Sequence, residues 1–202
     1  VGVGVEINFI SIRVFLQHLL WQQYAEDFSK RTDEFLVITD SHSIDVMFVL
    51  FDDVWNPVSQ LGRQPEPKVG VHNSGWVQSP GSAILGDLKR HDELEPYVRG
   101  ILSAFGHDRR VAVWDLYNEP GNLNGISYGY GELKDKQSYS LSLLKKVFAW
   151  ARSENPNQPL TAAVWRLNEG RWRGQQRDDP GAALFDFMLQ HSDILSFHSY
   201  EN

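Results

Sequence analysis

Six consecutive apolar residues, Val46-Met47-Phe48-Val49-Leu50-Phe51, run without a break into two aspartates, Asp52 and Asp53. A short run of β-branched and aromatic residues with no polar alternation reads as a strand buried on both faces, the kind found in a parallel sheet layered with helices. The rest of the chain fits such a sheet. Ile10-Ser11-Ile12-Arg13-Val14-Phe15 alternates with period two. From about Tyr24 to Thr39, Phe28, Phe35, Leu36 and Ile38 recur roughly at helical spacing. Leu94, Val98, Ile101, Leu102 and Phe105 mark a second helix, and Val111 to Tyr117 a further strand. Tyr139, Leu143, Leu144, Val147, Phe148 and Ala151 mark another helix, followed by a strand from Leu160 to Trp165. A short helix from Ala182 to Leu189 and a strand from Asp193 to His198 complete the pattern.

Strands that take turns with helices pair in parallel through right-handed crossovers. Two architectures satisfy this alternation: an open doubly wound sheet and part of a (β/α)8 TIM barrel. Asp52, Asp53, Asn118, Glu119, His198 and Tyr200 all fall at the C-terminal ends of strands. A barrel draws its site from many strand ends at once. A dinucleotide-binding sheet would carry Gly-x-Gly-x-x-Gly after its first strand, and that motif is missing. The expected fold is therefore α/β, a partial (β/α)8 barrel. A full barrel takes about 250 residues, and this chain has 202. It begins with Val1 rather than Met and stops at Asn202, just after a strand-like run. The expectation is one domain over residues 1–202, incomplete at both ends.

Trp114-Asp115-Leu116-Tyr117-Asn118-Glu119-Pro120 is the sharpest local feature. A buried strand runs straight into an amide and a carboxylate, and a proline then ends the ladder by removing a donor. Neighbouring residues on a regular strand face opposite ways, so Asn118 and Glu119 share a site only if the strand bulges or turns there. Glycoside hydrolysis would use such a pair. A carboxylic acid protonates the leaving oxygen, and an amide beside it hydrogen-bonds the sugar 2-hydroxyl. The plainer reading is an Asn-Glu-Pro turn that caps the next loop.

Asn118-Glu119-Pro120 at a strand end resembles the acid/base motif of clan A glycoside hydrolases, most of all the family 5 cellulase group. Ser11-Ile12-Arg13-Val14-Phe15 resembles that clan's second strand, whose arginine sits beside the nucleophile. Phe197-His198-Ser199-Tyr200 resembles the His-x-Tyr of its sixth strand. The order of the three motifs matches as well, so the resemblance maps this chain onto strands two to six of an eight-stranded barrel. It implies a retaining β-glycosidase acting on β-linked oligo- or polysaccharide, of cellulase, mannanase or xylanase type, that needs no cofactor or metal. Glu119 would be the general acid/base and Asn118 the 2-hydroxyl ligand. Arg13, His198 and Tyr200 would orient the nucleophile and the sugar at the cleavage point. The nucleophile belongs to the seventh strand, which lies beyond this chain; nothing places Glu201 in its position. Strand parity agrees with the mapping: Ser11, Arg13 and Phe15 share one face, as do Ile194, Ser196, His198 and Tyr200. Each residue also has a simpler reading. Arg13 could pair with a core carboxylate such as Asp115, His198 could be a satisfied core histidine, and Tyr200 a packing aromatic.

The long stretch from about Asp52 to Gly86 holds four prolines and two tryptophans, Trp55 and Trp76. Loops of that length are usually functional or disordered, and aromatic residues argue for function. Trp55 and Trp76 suit a sugar-stacking platform or an anchor for the loop. Trp165 suits a platform or barrel-rim packing. Asp52 and Asp53 suit substrate contact, and His72 and Asn73 could reach sugar hydroxyls.

Other chemistries lack their residues. With 19 basic against 26 acidic side chains the net charge is −7, unlike the basic stripe that nucleic acid or an anionic membrane surface demands. The basic run Gly170 to Arg177 reads as a solvated loop. There is no cysteine, no His-Glu-x-x-His and no Gly-x-Ser-x-Gly, which excludes thiolate, zincin-type and elbow-serine catalysis. No apolar run reaches the roughly 18 residues of a membrane helix, and the first residues do not read as a signal peptide. Polysaccharide degraders are often exported, and any export signal would lie upstream of Val1. The rival class is a barrel that binds carbohydrate without cleaving it. A third reading is an open α/β module for another small ligand. Open strand edges invite pairing with a second copy, so the 202-residue chain alone is expected to self-associate. A monodisperse monomer with a cooperative melt in analytical ultracentrifugation and calorimetry would contradict this.

Overall fold

Within residues 10–71, 74–123, 125–164 and 180–198, which the computed structural model describes, strands and helices take turns along the chain. Strand β1 (Ser11–Phe15) leads into helix α1 (His18–Ser41), then β2 (Asp45–Val49). After the long loop come a short helix α2 (Ser82–Leu85), a 3-10 turn at His91–Leu94 and helix α3 (Glu95–Phe105). Strand β3 (Val111–Asn118) is followed by the short α4 (Gly125–Tyr128) and the long α5 (Lys136–Ser153). Strand β4 (Leu160–Ala163) and helix α6 (Pro180–His191) close the order.

The four strands form one sheet in the order β1-β2-β3-β4, and every neighbouring pair is parallel. Sheet order therefore follows chain order. A doubly wound sheet reverses its order at a switch point, whereas successive β/α units of a barrel do not. The fold is α/β, of the partial (β/α)8-barrel type.

The details differ from the sequence pattern in three places. Helix α1 starts at His18 rather than near Tyr24, because it is two helices joined at Tyr24, whose backbone leaves the helical region (φ −141°, ψ 47°). The first of them, from His18 to Gln23, is under two turns long, too short to show a period. Helices α2 and α4 are each four residues long, about one turn, which periodicity cannot register. The segment Asp193–His198 lies beside β4 as expected, but through one parallel bridge, Val164 to Phe197, instead of a full ladder. Val164 N–H donates to Ser196 O and His198 N–H to Val164 O, both at 2.9 Å.

The core lies between the sheet and its helices. Val46, Phe48 and Leu50, alternate residues of one run, are all buried in it. Phe48 stacks on Trp114 of β3 (5.6 Å between centroids) and meets Phe35 of α1 at 6.3 Å. Helix α3 opens with Glu95 and Pro96, an acid at the positive helix end and a proline whose fixed φ suits the first turn. It buries Tyr97, Val98, Ile101, Leu102 and Phe105, and the Tyr97 hydroxyl donates to Leu50 O at 3.1 Å.

Gly100 lets α3 approach the first half of α1: a Cβ there would press into the Trp21 ring. Trp21 itself packs edge-on against Tyr97 at 5.9 Å, so its ring has little room to retreat. Gly100→Ala should thus destabilise the protein by about 1–3 kcal/mol through overpacking, although alanine is the better helix former by about 1 kcal/mol. In a Trp21→Ala background the sign should reverse. Urea midpoints of the two single variants and the double variant measure both effects.

Candidate active site

Parallel strands place all their C-terminal ends at one edge, so Asp52, Asn118, Glu119 and His198 are delivered to the same rim. Strand β3 does the decisive work. Asp115 pairs with Thr161 and Asn118 with Ala163, so three steps along β3 match two along β4. This is a β-bulge, and it leaves both Leu116 and Tyr117 buried in the core. Residues three apart on a regular strand point to opposite faces. Here Asp115 and Asn118 both reach Arg13, whose Nη2 donates to Asp115 Oδ2 and, at 2.8 Å, to Asn118 Oδ1. One residue later the chain turns. Glu119 has φ +45°, a left-handed conformation that costs a non-glycine residue about 1–2 kcal/mol, and its N–H donates to Ala163 O at 2.9 Å. Bulge and turn together put the amide and the carboxylate on one site.

Asp115 is fully buried. Burial pushes its carboxyl up, and the Arg13 guanidinium beside it pulls it back. Arg13 also points Nη1 at His198 Nε2 (3.2 Å), while His198 Nδ1 meets Glu119 Oε1. A guanidinium can only donate, so His198 Nε2 accepts and Nδ1–H donates to Glu119. The tautomer of His198 follows from Arg13. The second carboxylate oxygen of Glu119 accepts from Asn122 Nδ2 at 2.6 Å.

Asp52 is buried at the adjacent strand end. Its Oδ1 accepts from Asn118 Nδ2 at 2.7 Å and from Val54 N–H at 3.1 Å. Its Oδ2 accepts from the Trp76 indole at 2.6 Å. The Trp76 ring is 40% exposed and stands edge-on to Phe15, 4.8 Å away. Burial pushes Asp52 up to about 7, against the three donors that hold it down.

Asp53 meets the site through its backbone, its N–H donating to Asn118 O at 3.3 Å, while its side chain turns into the interior. It accepts from the Tyr117 hydroxyl (2.7 Å), Gly121 N–H (2.6 Å) and Ser140 Oγ (2.6 Å), fully buried against α5. Lys136, also buried, donates to Asp53 O and to Glu132, both at 2.8 Å. Gln78 Nε2 bonds Trp55 O (2.9 Å) and Glu132 Oε1 (3.2 Å), and Tyr128 holds Ser74 O. The long loop is thus tied to α4 and α5 by buried bonds, in keeping with its tryptophans.

Arg13, Asp52, Trp76, Asn118, Glu119 and His198 are brought together by these contacts. The ring nitrogens of His198 are satisfied, but by Arg13 and Glu119 rather than by the core. Arg13 does pair with Asp115, and it holds Asn118 and His198 as well. Trp55 is half-buried in the same loop, and Trp76 is the tryptophan bonded to Asp52. Tyr200, Trp165, His72 and Asn73 lie outside the described residues. The sequence reading missed Asn122 and His18. Asn122 follows Glu119 by three residues across a Pro120-Gly121 turn, a spacing that could have exposed it. His18 bonds Ser79 Oγ at 2.8 Å across 61 residues, and nothing local announces that pair. Among the described residues no group of side chains forms a metal-holding cluster, and no helix is long and apolar enough to cross a membrane.

No protein-family model matches the sequence, and neither does any curated protein. Solved structures do match. An endo-1,4-beta-mannanase from Eisenia fetida aligns with a TM-score of 0.56 and 16% identity, over 89% of this chain and 50% of that one. A beta-1,4-mannanase from the common sea hare Aplysia kurodai aligns with a TM-score of 0.54 and 16% identity, over 88% of this chain and 52% of that one. The chain spans about half the length of these two proteins. At such identity the likeness is one of fold, a fold that glycoside hydrolases share.

The Asp52 carboxyl has an ordinary value of 3.8 and a folded value of about 7. Between these two pH values the folded chain keeps a proton that the unfolded chain has released. Its contribution is therefore complete below about pH 4 and is lost as pH rises through 7, on the order of a few kcal/mol. His18 runs the other way: burial lowers it from 6.5 to about 4, so its contribution is present above pH 6.5 and lost on acidification. The two slopes oppose, so the wild-type curve alone hides both. The stability advantage of wild type over Asp52→Asn should shrink steadily from pH 4 to pH 8. Urea midpoints across that range give the difference, and a constant gap would contradict the shift.

Proposed function

We propose that this chain carries the acid/base half of the active site of a retaining β-glycoside hydrolase acting on β-linked oligo- or polysaccharide, as in the clan A, family 5 group. The observation that supports the reading most directly is the bulged end of β3, which sets Asn118 and Glu119 side by side with Arg13 and His198 around them. Two of the solved structures that match the fold bear the name of a β-1,4-mannanase, which makes β-linked polysaccharide the substrate class to test first.

In this reading Glu119 gives its proton to the leaving glycosidic oxygen while a second carboxylate attacks the sugar carbon and forms a glycosyl-enzyme. Glu119, now ionised, takes a proton from the water that breaks the new bond, and so returns to its starting state. Asn118 hydrogen-bonds the sugar 2-hydroxyl, a contact that tightens in the transition state. Arg13 fixes Asn118 through its oxygen and His198 through Nε2; His198 in turn holds Glu119. Tyr200 would line the same subsite. The attacking carboxylate belongs to a strand beyond this chain. Trp76, Trp55 and Trp165 would offer stacking faces for pyranose rings, whose C–H faces pack on aromatic surfaces.

A barrel that binds sugar without cleaving it is the second reading, favoured by one observation: the partly exposed Trp76 ring, held by Asp52, is a stacking face that needs no catalysis to bind a sugar. The test separates them. In the complete protein, Glu119→Gln should lower turnover of substrates with poor leaving groups by about 10²–10⁴-fold, the usual share of general acid catalysis. Activated aryl glycosides, which need little protonation, should lose far less in the first step. Equal loss on both would remove the acid/base role. A wild-type protein that binds β-glycans and hydrolyses none would establish the second reading.

A further inference from the structure

The contacts around Asp52 close into a ring. Arg13 Nη2 donates to Asn118 Oδ1 at 2.8 Å, and Asn118 Nδ2 donates to Asp52 Oδ1 at 2.7 Å. Asp52 Oδ2 accepts from Trp76 Nε1 at 2.6 Å, the Trp76 ring meets Phe15 at 4.8 Å, and the Arg13 guanidinium lies over Phe15 at 4.9 Å. From these contacts we infer that Asp52 is a positioning residue, which locks the Asn118 amide and the Trp76 ring into one sugar-reading unit. This rests on the reading of the site as that of a glycosidase.

The lock on Asn118 is a matter of donors and acceptors. Turning the amide over would set Nδ2 against the Arg13 guanidinium and Oδ1 against Asp52 Oδ1, donor against donor and acceptor against acceptor. A guanidinium that can only donate on one side, and on the other an Asp52 Oδ1 that also accepts from Val54 N–H, leave one orientation. Asn118 has two N–H bonds; among the described residues Asp52 takes one of them, and the other is left for a hydroxyl. The same carboxylate, through its second oxygen, fixes the rotation of a ring that is partly exposed and edge-on to Phe15. Asp52 is itself held in place: its N–H donates to Ser79 O at 2.7 Å and its carbonyl accepts from Ser79 N–H at 2.9 Å. It can therefore transmit position rather than yield to its partners. Reading the 2-hydroxyl and stacking the ring then depend on one another, and a sugar that lacks the 2-hydroxyl loses the benefit of both the amide and its alignment.

The experiment compares kcat/KM on aryl β-glycosides with kcat/KM on their 2-deoxy counterparts, in the complete protein and in Asp52→Asn, Trp76→Phe and the double variant. The ratio of the two within each protein cancels the intrinsic reactivity of the 2-deoxy sugar. Asparagine keeps the shape of Asp52 but has one acceptor oxygen in place of two, so Asn118 and Trp76 cannot both be answered. Asp52→Asn should lower the 2-hydroxy/2-deoxy ratio about tenfold, the size of one neutral hydrogen bond. Trp76→Phe keeps a ring, removes its N–H and should move the ratio the same way, and the double variant should be no worse than Asp52→Asn. A ratio unchanged in Asp52→Asn, with activity lost equally on both substrates, would overturn the inference, and so would losses that simply add. If Asp52→Asn does not fold, Trp76→Phe decides alone: a lower ratio supports the coupling and an unchanged one refutes it. A wild-type protein that cleaves no glycoside overturns the underlying reading and this inference with it, whereas an active wild type with a flat ratio overturns only the role of Asp52.

Discussion

The guanidinium of Arg13 is held by two groups of β3 that a regular strand would turn to opposite faces, and the remaining contacts of the site follow from this. A buried carboxylate such as Asp115 must be answered by a cation, because desolvation of an unpaired charge costs far more than a pairing returns. Once Arg13 is committed to Asp115, its other nitrogens are fixed in space as well. The nitrogen on Asp115, Nη2, also gives Asn118 its orientation, and Nη1 gives His198 its tautomer, which then presents an N–H to Glu119. The geometry around the carboxylate is in this way inherited from an ion pair one layer deeper. Removing Arg13 would thus act on three side chains at once, beyond the loss of one charge.

Local backbone cost and site chemistry coincide at the end of β3. The bulge between Asp115 and Asn118 interrupts the ladder, and Glu119 sits in a left-handed conformation that glycine would adopt more cheaply. Strain of this kind persists only where the surroundings over-determine the backbone. Here Ala163 O accepts the Glu119 N–H on one side, while Leu116 and Tyr117 are packed into the core on the other. The hydrophobic core thereby sustains a conformation that places polar groups at the rim.

The long loop after β2 illustrates a second division of labour. Asp52 and Asp53 are neighbours with opposite tasks. One faces Asn118 and Trp76 at the site, and the other is enclosed by Tyr117, Gly121 and Ser140. Lys136 and Glu132 extend the buried polar network to Gln78. A network whose members are answered in a low-dielectric interior is rigid, so a loop with little regular structure can still hold an aromatic ring in a defined place.

The α/β class, the parallel pairing and the edge at which polar groups gather are all legible in the sequence. Those features depend on period, on run length and on which residues follow each strand, all of them local quantities. Asn118, Glu119 and His198 were legible as a group for the same reason: each stands at a strand end, and parallel strands bring such ends together; Arg13, in the middle of β1, was legible through its motif and its strand parity. Which neighbours face which way depends instead on packing between elements. The bulge in β3 leaves no local signature, because Leu116 and Tyr117 are ordinary strand residues whose shared burial depends on β4 and α5. The separation of the Asp52 and Asp53 side chains and the pairing of His18 with Ser79 likewise depend on partners tens of residues away. A strand's period fixes the parity of its side chains only while the ladder is regular. Where the ladder breaks, the packing of the whole core chooses the face, and in this protein it breaks at the site.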